Sequence, residues 1–154
     1  MTAKSRQKSA RKSKAKGRRP ASHAASRNRA PKGDGARILF VDDDEGCRAL
    51  VGDILGSHGF AVVSESTVDA GLQRAAQEEF DLVILDLMLP SGTGGEAAFK
   101  IRELDADVPI MALSGYLDKW DSDDLKALGF TDWMGKPFKT KALAKRAADL
   151  VSGK

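Results

Sequence analysis

The ten residues Asp81-Leu82-Val83-Ile84-Leu85-Asp86-Leu87-Met88-Leu89-Pro90 decide how the rest of the chain is interpreted. Leu82 to Leu85 form an unbroken apolar run that is too short for a helix, which predicts a strand buried on both faces. Asp86 follows that run, and a carboxylate beside an apolar sheet is costly unless a partner or a metal ion meets it. Parallel sheets bind ligands outside the carboxyl ends of their strands, so Asp86 is a candidate site residue. Taken alone, the stretch also allows Asp86 to be a simple loop cap.

The order of the other segments predicts an α/β fold. Four more short apolar runs predict strands, and each is followed by a helical pattern; the runs are 37–41, 60–63, 108–113 and 131–134. Asp44 is predicted to cap the first helix and Thr140 the last, and the Gly-rich residues 91–95 are predicted to form a flexible loop. Strand and helix alternate five times, which predicts a five-stranded, doubly wound parallel sheet with five helices on its two faces.

Charge divides the chain into two parts. Of its 154 residues, residues 1–36 carry twelve Lys or Arg and one acid, for a charge of +11; the remainder carries 13 basic and 21 acidic residues, for −8. Apart from Met1, the first part has no Leu, Ile, Val, Met or aromatic residue, so we predict a disordered basic tail over 1–36 and a folded domain over 37–152. The tail also lacks the apolar core of a secretory signal. With Cys47 as the single cysteine, no internal disulfide can form.

Polar side chains follow four of the predicted strands, where a parallel sheet gathers its ligands. They are Asp42 and Asp43, Asp86, Ser114 and Lys136. Three carboxylates in one crevice repel one another unless a cation lies between them, and hard oxygen ligands suit Mg²⁺. An ammonium and a hydroxyl at the same edge indicate that an anionic group joins the metal. Together these groups can stabilise a phosphoryl group in transfer.

These motifs, in this order, resemble the receiver domain of bacterial two-component response regulators. The matching residues are Phe40-Val-Asp-Asp-Asp44, Asp81-Leu-Val-Ile-Leu-Asp86 with Pro90, Leu113-Ser-Gly115 and Lys136-Pro-Phe138. The resemblance covers about 37–152 and implies a flavodoxin-like sheet with strand order 2-1-3-4-5. The Ser114-Gly-Tyr116 run and the loop 91–95 look closer to receivers attached to hybrid histidine kinases than to those of transcription factors.

The resemblance implies a role for each acidic residue. Asp86 would accept a phosphoryl group from a phosphohistidine on a sensor histidine kinase or a histidine phosphotransfer protein. Asp43 and Asp86 would bind Mg²⁺ directly, and Asp42 would bind it through water. The backbone carbonyl of Met88 would complete the protein ligands.

The resemblance also assigns the phosphoryl-binding and switch residues. Ser114 would turn to hydrogen-bond a phosphoryl oxygen, and Lys136 would pair with the phosphoryl group. Trp133 stands at the position of the family's switch aromatic, which usually is Tyr or Phe. Trp133 departs from this pattern, because an indole needs more room than either ring when it rotates inward.

The sequence therefore predicts a cytoplasmic, stand-alone response regulator that signals to an unknown downstream protein by contact. We expect no enzymatic activity beyond Mg²⁺-dependent self-phosphorylation and self-dephosphorylation. The first alternative is a DNA- or membrane-associated adaptor, in which residues 1–36 bind nucleic acid or an anionic surface and the receiver acts as the switch. Another is an unphosphorylated scaffold. The tail itself could also be inert or fold back on the acidic domain.

Overall fold

Strands and helices alternate along the chain in the structure, a computed structural model that describes residues 35–153. The predicted tail lies outside the described residues except for Gly35 and Ala36. The elements are β1 (Arg37–Val41), α1 (Glu45–Ser57), β2 (Ala61–Glu65), α2 (Val68–Gln77), β3 (Leu82–Leu85), β4 (Met88–Leu89), β5 (Gly92–Thr93), α3 (Gly94–Leu104), β6 (Ile110–Ser114), a 3₁₀ turn (Leu117–Lys119), α4 (Ser122–Ala127), β7 (Asp132–Gly135) and α5 (Thr140–Ser152).

Five strands form one parallel sheet in the order β2-β1-β3-β6-β7. Counted along the chain, this order is 2-1-3-4-5, so the predicted fold class and strand order are confirmed. β3 lies at the centre, and all four of its residues are buried, as the apolar run predicts. The carboxyl ends of β1, β3, β6 and β7 therefore meet at one edge of the sheet.

The sheet separates two apolar cores. One core joins the sheet to α2, α3 and α4 through residues such as Val68, Ile101 and Leu125. The other joins it to α1 and α5 through residues such as Leu55 and Leu143. Helices cover both faces, which explains why the central strands read as continuous apolar runs rather than alternating ones.

Of the two predicted helix caps, one is confirmed and one is wrong. The Asp44 carboxylate accepts hydrogen bonds from the N–H groups of Gly46 and Cys47, as predicted. Thr140 does not cap α5: it is the first helical residue, and Lys139 is the N-cap without a side-chain hydrogen bond. The reason is that the Lys139 carbonyl already accepts the first helical hydrogen bond, from the N–H of Leu143.

The predicted flexible loop 91–95 is more ordered than expected. Gly92–Thr93 pair with Met88–Leu89 in a short antiparallel ribbon, and α3 begins at Gly94 rather than near Glu96. Thr93 and Glu96 form a capping box: the Thr93 side chain accepts from the Glu96 N–H, and the Glu96 carboxylate accepts from the Thr93 N–H. This box fixes the start of α3 beside the end of β3.

Arg102 connects the end of α3 to two loops at the edge of the sheet opposite the carboxyl ends of the strands. Its guanidinium donates to the carbonyl of Gly129 at 2.9 and 3.2 Å, to that of Ala106 at 3.3 Å, and to that of Val108. Burial lowers the pKa of Arg102, and the charges of Asp105 and Asp107 offset only part of that effect. The contacts hold the chain where it enters β6 and β7.

Candidate functional site

The strand ends carry the acidic residues into one place. Asp42 and Asp43 follow β1, Asp86 follows β3, and one carboxylate oxygen from each lies within 4.8 Å of the others. The Asp86 N–H donates to the Val41 carbonyl at 3.0 Å, which locks the two strand ends side by side. Asp42 and Asp86 are buried, whereas Asp43 is exposed at the rim. The structure thus brings together the acidic residues that the sequence singled out.

Lys136 reaches this cluster from the end of β7. Its Nζ lies 2.6 Å from Oδ2 of Asp42 and 3.3 Å from Oδ2 of Asp86, so one ammonium joins two carboxylates. The Lys136 N–H donates to the Ser114 carbonyl at 2.9 Å, which places the residue against the end of β6. The peptide bond from Lys136 to Pro137 is cis. With three carboxylates and one ammonium, the site has an excess of negative charge.

The pKa values of the two buried carboxyls, Asp42 and Asp86, are shifted in opposite directions. Burial alone would raise the pKa of Asp42, but hydrogen bonds from Lys136 and from the N–H of Asp44 lower it overall. Burial raises the pKa of Asp86, and the N–H of Met88 and the charge of Lys136 offset only part of that effect. Lys136 is itself held in its charged form, because its carboxylate partners raise its pKa despite burial.

The donor set fits a small divalent cation. Asp42, Asp43 and Asp86 offer carboxylate oxygens close to one another, and Mg²⁺ prefers such hard oxygen ligands while retaining several waters. Met88 lines the same cleft, and its N–H donates to Oδ1 of Asp86 at 3.1 Å. The exposed position of Asp43 leaves a side of the cluster open to solvent, as a cation that keeps its waters requires.

Neither Ser114 nor Trp133 is among the residues that line the cleft. Ser114 is the last residue of β6 and is buried, and its Oγ accepts the N–H of Tyr116 at 3.0 Å. The Trp133 side chain is partly buried and packs on the core that contains α3 and α4.

The cleft also contains residues whose contribution the sequence alone did not reveal. It has a volume of about 500 Å³ and is lined by Asp42, Asp43, Asp44, Asp86, Met88, Leu89, Pro90, Tyr116 and Lys136. Asp44 was expected only as a helix cap, a role it fills while also facing the cleft.

Cys47 was interpreted as a packing residue, and it does pack on a core. Burial, together with a hydrogen bond to Asp42, raises the pKa of the Cys47 thiol to about 11.

Gly94 packs against the backbone of Asp86, and no sequence signal distinguished Gly94 from the neighbouring glycines. A Cβ added to Gly94 would lie 2.3 Å from the carbonyl oxygen of Asp86 and 3.0 Å from the Cα of Leu87. The start of α3 is therefore packed directly on the backbone of the residue that carries the central carboxylate. Only glycine permits this approach.

Comparison with known proteins defines the class. The family described as "Response regulator receiver domain" matches residues 38–148, and the chain belongs to that family. It is 33% identical over 115 residues to the alkaline phosphatase synthesis transcriptional regulatory protein PhoP of Bacillus subtilis, covering 75% of this chain and 48% of PhoP. It is 37% identical over 103 residues to the KDP operon transcriptional regulatory protein KdpE of Escherichia coli, covering 66% of this chain and 44% of KdpE. The chain thus spans about half the length of these curated relatives.

Solved structures agree in fold. The Vibrio cholerae chemotaxis protein CheY4 is 29% identical, with a TM-score of 0.70 over 75% of this chain and 98% of CheY4. The receiver domain of the sensor histidine kinase PA1611 from Pseudomonas aeruginosa is 27% identical, with a TM-score of 0.70 over 78% of this chain and 99% of that domain. That structure has a magnesium ion coordinated in the active site cleft. A chemotaxis protein, the receiver domain of a sensor histidine kinase and two transcriptional regulatory proteins are thus all similar to this domain.

Proposed function

We propose that the domain is a phosphorylation switch whose Asp86 accepts a phosphoryl group from a phosphohistidine. The donor would be a sensor histidine kinase or a histidine phosphotransfer protein. The observation that carries this proposal is the contact of the Lys136 Nζ with both Asp42 and Asp86, beside Asp43. A nucleophilic carboxylate, oxygen ligands for a cation and an ammonium for phosphoryl oxygens are the groups that phosphoryl transfer requires.

In the transfer step, a carboxylate oxygen of Asp86 would form a bond to phosphorus. The phosphorus–nitrogen bond of the phosphohistidine would break, and its electron pair would return to the imidazole nitrogen. The product is an acyl phosphate on Asp86. Lys136 would give up part of its contact with the carboxylates and pair with a phosphoryl oxygen, which offsets part of the negative charge that the phosphoryl group brings.

Magnesium is part of the same proposal. Asp43 and Asp86 would hold Mg²⁺ directly, Asp42 through water, and Met88 through its backbone carbonyl. When bound, the ion supplies positive charge that stabilises the phosphoryl oxygens during transfer. The chain's own contribution is to hold three carboxylates near one another, which Lys136 balances only in part.

The output would be a conformational change read by another protein. The Ser114 hydroxyl, whose oxygen accepts the N–H of Tyr116, would turn to donate its proton to a phosphoryl oxygen, and the Trp133 ring would respond from the neighbouring strand. Self-phosphorylation from small donors and self-dephosphorylation by water would be the only chemistry, so the protein would not be an enzyme. Stand-alone operation in the cytoplasm and signalling to a downstream protein by contact stay predictions. Within residues 35–153, no helix has the length and apolar character needed to cross a membrane.

Labelling by acetyl phosphate tests the proposal. In the presence of Mg²⁺, the wild-type protein should gain one phosphoryl group by intact-mass spectrometry, and Asp86→Asn should gain none. Asp81→Asn is the matched control, because Asp81 is also a buried aspartate and lies just before the amino end of β3, whereas Asp86 follows the carboxyl end. This control should label like the wild type. Equal labelling of wild type and Asp86→Asn would exclude Asp86 as the acceptor.

A further inference from the structure

Arg48 is a charged residue beside the acidic cluster that the proposed phosphoryl transfer does not use. It is the fourth residue of α1 and is partly buried. Its Nη1 donates to the carbonyl oxygen of Asp42 at 2.8 Å, and its backbone N–H donates to the carbonyl of Asp44 at 3.0 Å. Because the macrodipole disfavours cations near the amino end of a helix, this contact with an acidic loop offsets a cost of the position. Arg48 therefore connects α1 to the loop that carries two of the site's carboxylates.

The two carboxylates of this loop are supported to different degrees. Both oxygens of the Asp42 carboxylate are held: Oδ1 accepts the N–H of Asp44 at 3.0 Å, and Oδ2 lies 2.6 Å from the Nζ of Lys136. The Asp43 carboxylate is exposed and, within residues 35–153, accepts no hydrogen bond from another residue. The place of the Asp43 carboxylate in the cluster therefore depends on the direction in which the backbone presents it.

The guanidinium of Arg48 acts on that direction through the peptide unit between the two acids. The carbonyl of Asp42 and the N–H of Asp43 belong to the same planar group, so a donor that holds the carbonyl also orients the chain leading to Asp43. On its other side, the Asp42 N–H donates to the carbonyl of Glu65, the last residue of β2, at 3.1 Å. The backbone of Asp42 is thus held by β2 and by α1, and Arg48 supplies the contact from α1.

We propose that Arg48 is a positioning residue of the metal site: its guanidinium holds the peptide unit between Asp42 and Asp43 and thereby keeps the Asp43 carboxylate where it can bind Mg²⁺. This inference rests on the proposed function, in which Asp43 holds the ion directly. Replacing a residue that orients a metal ligand typically lowers metal affinity about 10–100-fold. The positive charge of Arg48 acts in the opposite sense, because a nearby cation repels Mg²⁺. The sign of the effect on affinity therefore separates positioning from charge.

Titration with MgCl₂, followed by the amide NMR signals of residues 42–44 and 86–88, tests this role. Arg48→Met removes the donor and the charge but keeps an unbranched apolar side chain, and it should raise the dissociation constant for Mg²⁺ about 10-fold or more. Arg48→Lys keeps a cationic donor and should bind Mg²⁺ with an affinity between those of the wild type and Arg48→Met. Arg102→Ala is the matched control, because the Arg102 guanidinium also donates to a backbone carbonyl, but at the opposite edge of the sheet. This control should lose stability and bind Mg²⁺ as the wild type does.

Labelling by acetyl phosphate adds a readout that a general loss of stability would not produce. Arg48→Met should label more slowly than the wild type at low Mg²⁺ and at the same rate once Mg²⁺ saturates both proteins. The role of Arg48 is overturned if Arg48→Met binds Mg²⁺ as tightly as the wild type or more tightly, if Arg102→Ala loses as much affinity, or if labelling of Arg48→Met stays slow in saturating Mg²⁺.

The wild type distinguishes failure of this inference from failure of the proposed function. A wild-type protein that binds no Mg²⁺ overturns the proposed metal site and the role of Arg48 together. A wild-type protein that binds Mg²⁺ but gains no phosphoryl group overturns the phosphoryl acceptor, while the weaker Mg²⁺ binding of Arg48→Met would still support the positioning role.

Discussion

Replacing Gly94 with alanine should damage both the stability of the domain and the phosphoryl acceptor. The added Cβ would lie 2.3 Å from the carbonyl oxygen of Asp86, where an ordinary contact needs about 3.4 Å. The start of α3 or the end of β3 must therefore move by about 1 Å. The contacted atoms belong to backbone that is held by a hydrogen bond from Asp86 to Val41, so rotation of a side chain cannot relieve the overlap.

The expected loss in the free energy of unfolding of Gly94→Ala follows from two opposing effects. Overpacking of this kind destabilises a fold by about 1–3 kcal/mol. Alanine has a better helix propensity than glycine by about 1 kcal/mol in a helix interior, and by less at the first helical position, which Gly94 occupies. The steric effect should win, leaving a net loss of about 1–2 kcal/mol. A displacement of about 1 Å at Asp86 should also reduce the rate of phosphoryl transfer about 100-fold.

Urea unfolding and acetyl phosphate labelling measure the two effects separately. Gly115→Ala is the matched control, because its added Cβ meets nothing within 4 Å although the residue also lies beside the site. The control should unfold within about 0.5 kcal/mol of the wild type. If Gly94→Ala is as stable as Gly115→Ala and labels at the same rate, the close approach of α3 to Asp86 does not constrain the site.

Four other outcomes are expected. In EDTA, Asp86→Asn should melt at a higher temperature than the wild type near neutral pH, because burial raises the folded-state pKa of the Asp86 carboxyl and its ionised form destabilises the fold. The difference in melting temperature should shrink in acid, where the wild-type carboxyl is protonated. A difference that does not depend on pH would contradict this explanation. Mg²⁺ at ten times its dissociation constant should stabilise the wild type by about 1.4 kcal/mol, and the same concentration should stabilise Asp43→Ala less. In a Trp120→Phe background, beryllofluoride should change the fluorescence of Trp133, and an unchanged spectrum would show that this ring does not report the switch. Arg102→Ala should cost about 2–3 kcal/mol in urea unfolding because it leaves loop carbonyls unpaired, and a cost near zero would mean that water replaces the guanidinium.

Much of the fold was predictable because its signals are local. The run Leu82–Leu85 coincides with β3 residue for residue, and Asp44 caps the first helix as its position before an apolar pattern indicates. Alternation of strand and helix then leaves few topologies, since crossovers between parallel strands are right-handed. The acidic candidates followed from the same logic, because residues directly after parallel strands share one edge of the sheet.

Boundaries and the start of α3 were less predictable. Residues 91–95 read as a flexible Gly-rich loop, yet the Thr93–Glu96 capping box and the pairing with Met88–Leu89 order them. Thr140 read as a cap, yet the Lys139 carbonyl takes that position. In both cases the residue types indicated roughly where a helix begins. The residue that accepts the first helical hydrogen bond depended on how the preceding segment packs.

The sequence by itself determined the fold class and the sheet edge at which the polar side chains would meet. Only the tertiary structure decided that Lys136 would contact Asp42 and Asp86, residues 94 and 50 positions away, and that the Ser114 hydroxyl would accept the Tyr116 N–H. It also placed Gly94 against the Asp86 carbonyl. Strand and helix signals are carried by neighbouring residues, whereas these contacts depend on side-chain rotamers and close packing between segments that are distant along the chain.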